Sequence, residues 1–175
     1  VWSLGIIARK KGSGTFLLTD VSTSDSFLSL RFKNDSANML HALEVRRIIE
    51  SESCALAALR ASTTDLQAIE QRLNEMERVH LAIGSAGAED WAFHTSIYQA
   101  SGNPLLLQML NGIYDSMHAF FESPPEQALF ADSFSLHRDL FNAIRQRDSV
   151  SAREICHQIL DITERDMKDI INAKR

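Results

Sequence analysis

An acid and a histidine on one predicted helix are the side chains best suited to chemistry. Asp90 and His94 are four residues apart, so a helix places the carboxylate and the imidazole one turn apart on the same face. Ile97 shares that face, which indicates that the face points into the protein. A carboxylate and an imidazole in this arrangement form the first half of a metal site. An Asp–His hydrogen bond that satisfies a half-buried pair is the structural alternative.

His137 is the third candidate ligand, because it interrupts an otherwise apolar stripe on a later predicted helix. The stripe consists of Phe130, Phe134, Phe141 and Ile144. A histidine on such a face is either satisfied inside the core or joins Asp90 and His94. Together the three side chains offer one oxygen and two imidazole nitrogens, a set suited to zinc, nickel, iron or manganese.

Arg46 is a candidate for binding an anion. Leu43 and Ile49 lie three residues to either side of it, so this arginine leans toward the core. A guanidinium in that position must be paired or must bind an anion. The sequence leaves two partners open: Glu50, one helical turn later, and the carboxylate of a ligand.

The composition is that of one ordinary globular domain, with 175 residues, 45% hydrophobic and 23% charged. Only 7 glycines and 3 prolines favour long helices over a β-sandwich. The two cysteines form no CxxC motif, and the chain starts without the features of a signal peptide, so we expect a reducing cytoplasm. No apolar run approaches the roughly 20 residues that span a bilayer, and we expect no membrane contact.

The N-terminal residues differ from the rest of the chain. Two β-prone runs, 6–9 and 15–18, flank the basic turn Lys10-Lys11-Gly12-Ser13-Gly14, which predicts a short β-hairpin. Residues 20–35 are polar and rich in serine, as in a linker. From residue 36 onward the apolar period is helical and predicts an all-α, antiparallel bundle of six or more helices.

The helix boundaries follow from caps and breakers. Thr64 with Gln67 and Ser151 with Glu154 have capping-box spacing, and Asn103-Pro104 is a typical helix start. The predicted helices cover about 38–61, 64–83, 88–101, 104–121, 126–147 and 151–173. Because the helix over 104–121 is apolar nearly all round, we expect it at the centre of the bundle.

The hairpin and the helical motifs below, taken in their order along the chain, resemble the GntR family of bacterial transcription regulators and its FadR subfamily. The run from Leu4 to Leu17 resembles the wing of a winged helix-turn-helix domain, entered near the end of its recognition helix. The helical part resembles the FCD ligand-binding domain in four motifs: Glu44-Val45-Arg46 with Ile49-Glu50 and Ala55-Leu56-Ala57-Ala58; Asp90-x-x-Phe93-His94; Ser101-Gly102-Asn103-Pro104; and His137 with Ala143-Ile144, Asp148 and Ala152.

The resemblance implies a ligand-responsive regulator and no enzyme activity. Residues 1–19 would be the remnant of the DNA-binding domain, 20–35 a linker and 36–175 an FCD-type effector-binding domain. Regulators of this family bind operator DNA as homodimers and bind a small carboxylate metabolite, often through a divalent metal. Because most of the winged helix is absent from these residues, we expect the 175-residue chain itself not to bind an operator specifically.

The resemblance also implies roles for individual residues. Asp90, His94 and His137 correspond to three of the family's four metal ligands, whereas the fourth falls at Ile159. Arg46 corresponds to the conserved arginine of the first helix. Asn103 corresponds to a conserved asparagine near the ligand, with a helix cap as its alternative role. The hairpin tip would contact DNA through Arg9, Lys10, Lys11, Gly12, Ser13 and Gly14.

Two other functions fit the same residues. A metal held by Asp90, His94 and His137 activates water in a hydrolase-like enzyme, although no separate general acid or base stands in a matching motif. A ligand-free helical dimer with a purely structural role is the other alternative. The resemblance favours the regulator.

Overall fold

The computed structural model describes residues 7–10, 14–17, 36–84, 86–118 and 131–173. The chain divides into two compact units, Val1–Arg31 and Phe32–Arg175. In the first unit, strand β1 (Ile7–Lys10) pairs antiparallel with strand β2 (Gly14–Leu17), so that Lys10 faces Gly14 across the ladder. This pairing is that of the predicted hairpin, whose residues Lys11, Gly12 and Ser13 lie outside the described residues.

The second unit is helical, which confirms the all-α class. Its described part contains α1 (Ser36–Arg60), α2 (Thr63–Ile83), α3 (Gly87–Ala100), α4 (Pro104–His118), α5 (Phe134–Arg145) and α6 (Ser149–Ala173). A short 3-10 turn, Ala131–Ser133, leads into α5. The fifth helix was predicted to begin at 126; residues 126–130 lie outside the described residues, and α5 itself begins at Phe134.

Helix α1, not α4, occupies the centre of the bundle. It packs against α3, α4, α5 and α6, whereas α4 packs against α1 and α3. The side of α1 that faces its neighbours is rich in small buried residues: Ala42, Ser51, Ser53, Cys54, Ala55, Ala57 and Ala58. Small side chains let the surrounding helices approach closely. Helix α1 can therefore be central without large apolar residues on every face.

The expectation of a central helix over 104–121 is wrong for its described part. Leu105 is 62% exposed and Met109 36% exposed, while Leu110 and Ile113 are buried. Residues 119–121 lie outside the described residues. Among the helices that the structure describes, none combines the length and the apolar composition needed to cross a membrane.

The start of α2 shows a capping box two residues earlier than predicted. Ser62 Oγ accepts a hydrogen bond from the Asp65 backbone N–H at 3.1 Å, and Asp65 Oδ2 accepts one from the Ser62 backbone N–H at 2.8 Å. The predicted box of Thr64 and Gln67 is therefore wrong. Ser62 and Asp65 have the same spacing, and an aspartate accepts the return hydrogen bond as well as a glutamine does.

Two further helix starts are fixed by side chains. Asp148, not Ser151, caps α6: its Oδ1 accepts from the Ser151 backbone N–H at 3.0 Å and its Oδ2 from the Ser151 hydroxyl at 2.7 Å. The predicted cap at Asn103 is present, because Asn103 Oδ1 accepts from the Leu105 backbone N–H at 3.1 Å.

We expect Ser62→Ala to lower the free energy of unfolding by about 1 kcal/mol, because the Asp65 N–H loses its acceptor. Urea denaturation measures the change. Thr63→Ala is the matched control on the same exposed turn, since its hydroxyl takes no part in the box. Equal effects of the two substitutions would contradict the capping role of Ser62.

Candidate metal and ligand site

Helices α3 and α5 bring the three predicted ligands together. His137 Nε2 lies 2.9 Å from Asp90 Oδ1 and 3.2 Å from His94 Nε2, and His94 Nε2 lies 3.8 Å from Asp90 Oδ1. Both helices pack against α1 and α2. Within the described part of the chain, these three residues are the group of acids, histidines and cysteines whose ligand atoms lie close enough to share one metal ion.

The spacing of these three atoms fits a metal ion. Around an ion with ligand distances of about 2.1 Å, neighbouring donors lie about 3.0 Å apart in octahedral and about 3.4 Å apart in tetrahedral geometry. The observed separations of 2.9, 3.2 and 3.8 Å bracket these values. One carboxylate and two imidazoles form a mixed donor set for zinc, nickel, iron or manganese.

The ring of His137 is oriented by backbone carbonyl groups on the side away from Asp90 and His94. Its Nδ1 donates to the carbonyl oxygen of Ser133 at 2.9 Å, with the carbonyl oxygen of Phe134 at 3.3 Å. Its Nε2 consequently faces Asp90 and His94. A backbone carbonyl on the far nitrogen is the usual way in which proteins orient a metal-binding histidine. The 3-10 turn that supplies Ser133 therefore contributes to the site.

His94 is buried, and burial favours its neutral form. Burial lowers its pKa, although the nearby Asp90 carboxylate acts in the opposite direction. Its Nδ1 is buried and has no hydrogen-bond partner among the described residues. A neutral imidazole is the form that binds metal, so burial favours this histidine as a ligand.

Asp90 and His137 attract each other. Burial alone would raise the pKa of Asp90, but its interactions with His94, His137 and Arg46 lower it to about 2. Burial alone would lower the pKa of His137, but the hydrogen bond and the charge of Asp90 raise it. In the structure, the hydrogen-bonded Asp–His pair is thus Asp90 with His137 rather than Asp90 with His94.

Arg46 is paired with Glu50, the structural partner that the sequence left open. Arg46 Nε donates to Glu50 Oε1, and the Tyr98 hydroxyl donates to Glu50 Oε2 at 2.7 Å. Glu50 is only 1% exposed. The charge of Arg46 helps to lower the pKa of Asp90, so this buried network adjoins the three candidate ligands.

Sequence reasoning did not single out Glu50 or Tyr98 as members of the site. Tyr98 follows His94 by four residues, so the face that carries Asp90 and His94 continues to it, and the two rings stack at 6.0 Å. Continuing the four-residue spacing by one more turn would have found Tyr98. Glu50 appeared only as a partner for Arg46, because a charged pair at this spacing is typical of exposed helix surfaces.

The remaining predicted residues lie apart from the three ligands. The described side-chain contacts of Asn103 serve the cap of α4, and none of them reaches Asp90, His94 or His137. Ile159 is 4% exposed in the core, where it offers no ligand atom. The Cys156 thiol hydrogen-bonds with Cys54 and is buried, and both effects raise its pKa, which disfavours a thiolate.

Comparisons with known proteins agree with the helical architecture and with the resemblance. Residues 41–161 match the model of the FCD domain. The galactonate operon transcriptional repressor of Escherichia coli K12 is 30% identical over 170 residues, which cover 95% of this chain and 72% of that protein. The HTH-type transcriptional regulator LutR of Bacillus subtilis 168 is 29% identical over 161 residues, covering 86% of this chain and 72% of LutR. The solved structure of Streptococcus agalactiae GntR superposes with a TM-score of 0.69 at 25% identity and covers 94% of this chain and 76% of that one.

Proposed function

Since the chain belongs to the FCD domain family of GntR-type transcriptional regulators, which are not enzymes, we propose that its helical unit senses a small carboxylate metabolite. Asp90, His94 and His137 hold a divalent metal ion in this proposal. The observation that carries it is the meeting of three ligand atoms within 3.8 Å of one another.

The chain's own residues prepare this site in three ways. Ser133 orients His137, burial favours the neutral form of His94, and the nearby His137 and Arg46 favour the ionised form of Asp90. When bound, the ion supplies a Lewis acid that attracts a carboxylate oxygen. Arg46, which is paired with Glu50, adds a positive charge near Asp90. Because Ile159 supplies no fourth ligand, coordination positions remain for the effector.

We propose a sugar acid as the class of effector. One relative is named for a galactonate operon. Galactonate carries a hydroxyl group next to its carboxylate, and both groups are oxygen donors. Three protein ligands and these two oxygens would together occupy five coordination positions, a number that zinc sites can reach. Galactonate is therefore the probe for the experiments below.

The N-terminal residues fit the DNA-binding side of this function. We propose residues 1–19 as part of a winged helix-turn-helix domain, 20–35 as the linker and 36–175 as the effector domain. Arg9, Lys10 and Lys11 would contact DNA phosphates, with Gly12, Ser13 and Gly14 forming the turn between the strands; such contacts position a protein on DNA without reading its sequence. The regulator would act as a homodimer in the cytoplasm, where its operator lies.

Metal titration tests the site. We expect calorimetry to show one zinc, nickel or manganese ion bound per wild-type chain and an affinity about 100-fold lower in His94→Ala, which removes a ligand nitrogen. His157→Ala is the matched control, since His157 lies outside the three-ligand group and should bind like wild type. Equal affinity of wild type and His94→Ala, or no wild-type binding at millimolar metal, would overturn the proposal.

Thermal denaturation tests the effector. A ligand that binds only the folded state raises the melting temperature by mass action. We expect galactonate to raise the melting temperature of the metal-loaded protein but not that of the metal-free protein or of His94→Ala. Galactose, which lacks the carboxylate, is the control and should have no effect. An equal shift without metal would separate ligand binding from the three-ligand site, and no shift with any sugar acid would favour the structural dimer.

A further inference from the structure

Glu50 is a buried acid on the central helix whose two carboxylate oxygens are both engaged. Oε1 accepts from Arg46 Nε, and Oε2 accepts from the Tyr98 hydroxyl at 2.7 Å. Both partners donate, which is the pattern of an ionised carboxylate. A buried carboxylate is costly unless it is paired, and apolar side chains often fill the same space at no cost in stability. Stability alone therefore does not explain a charged residue at this position.

The net charge of the candidate site depends on Glu50. In the metal-loaded site Asp90 binds as a carboxylate, and His94 and His137 bind as neutral imidazoles, because metal ligands must be deprotonated. Among these described side chains, Asp90 and the hydrogen-bonded pair of Glu50 and Arg46 then sum to a single negative charge. With a divalent ion, and with His137 neutral as its ligand, the loaded site has a surplus of one positive charge, which one carboxylate balances.

We propose that Glu50 sets the charge selectivity of the site, so that it prefers ligands with one carboxylate over ligands with two. This inference rests on the proposed function, because it needs the metal and a carboxylate ligand. In a partly buried site the effective dielectric constant is low, and a second ligand carboxylate leaves an unbalanced negative charge near Glu50. Without the Glu50 charge, the loaded site would instead balance a dicarboxylate.

Tyr98 and Arg46 make Glu50 act through its charge rather than as another ligand. Their two hydrogen bonds occupy one lone pair on each oxygen of the carboxylate and hold it in place. Glu50 accordingly does not belong to the group of three ligand atoms that lie close enough to share an ion. Tyr98 is a positioning residue in this arrangement.

The test compares galactonate with galactarate, which has the same six-carbon chain and a second carboxylate in place of the terminal CH2OH group. Calorimetry is done with metal-loaded protein. We expect wild type to bind galactonate about tenfold more tightly than galactarate. In Glu50→Gln, which keeps the shape but not the charge, we expect this preference to fall about tenfold, so that it disappears or reverses.

Glu52→Gln is the matched control on the same helix. Glu52 is exposed and pairs with Arg153 at 2.8 Å, so its neutralisation should leave the preference for galactonate as in wild type. Circular dichroism first establishes that each variant is folded. If Glu50→Gln does not fold, the wild-type comparison decides, and a wild-type preference for galactarate would overturn the inference.

The outcomes separate this inference from the proposed function. Failure of wild type to bind metal or galactonate overturns both. Binding of metal and galactonate with the same preference in wild type and Glu50→Gln overturns only the role of Glu50. A fall in preference that Glu52→Gln reproduces assigns the effect to the net charge of the helix and also overturns the role of Glu50.

Discussion

Phe93→Ala is expected to lower the free energy of unfolding by about 3–5 kcal/mol and to weaken metal binding at the same time. Phe93 is fully buried on α3. Its ring stands edge-on to the rings of His94 and His137, with centroid distances of 5.3 and 5.6 Å. Removing it leaves a cavity beside the two imidazoles, so the substitution loses packing and releases two of the three candidate ligands.

Urea denaturation measures the stability change, and metal titration of the still-folded variant measures the second effect. Leu105→Ala is the control, because Leu105 also loses a large apolar side chain but is 62% exposed; its cost should stay below about 1 kcal/mol. Equal costs for Phe93→Ala and Leu105→Ala would contradict the packing. An unchanged metal affinity in Phe93→Ala would show that the imidazoles do not depend on this ring.

The three candidate ligands were predictable from the sequence because each carries a local pattern. Asp90 and His94 share a helix face by spacing alone, and His137 stands out in an apolar stripe. Their meeting in space is a tertiary fact that no local pattern contains. It arises because α3 and α5 both pack against α1 and α2, and the sequence supplied it only through resemblance to a known family.

The burial of Glu50 and the exposure of α4 were not predictable in this way. An arginine and a glutamate four residues apart are typical of a solvated surface, and only the central position of α1 buries Glu50 to 1% exposure. Conversely, the apolar residues of α4 suggest burial on all sides. Among the described helices, however, α4 packs against only α1 and α3, and Leu105 remains exposed. In both cases the neighbours of a helix, and not its composition, determine burial.

The boundary errors have a more local cause. Ser62, Thr63 and Thr64 are consecutive residues that can each cap a helix, and propensity does not distinguish them. The choice depends on which of them has an acid or amide three residues later in reach of its backbone N–H. Both Ser62 with Asp65 and Thr64 with Gln67 satisfy that spacing, and the structure shows the first.

The burial of the Arg46–Glu50 pair makes removal of Glu50 alone costly. Glu50→Ala is expected to lower the free energy of unfolding by about 3–5 kcal/mol, because removal of one partner of a buried ion pair leaves the other uncompensated. Arg46 keeps its charge in a mostly buried position, with 17% of its side chain exposed, and the buried Tyr98 hydroxyl loses its acceptor.

A double substitution distinguishes this effect from simple loss of contacts. Arg46→Met combined with Glu50→Leu removes both charges and fills the space with apolar atoms, so it should cost less than Glu50→Ala alone. Glu52→Ala, which breaks an exposed pair on the same helix, should cost only about 0–1 kcal/mol. Urea denaturation of the three variants is the measurement. If the double substitution costs more than Glu50→Ala, the pair stabilises the fold by its contacts, and an uncompensated Arg46 charge is not the reason for the loss.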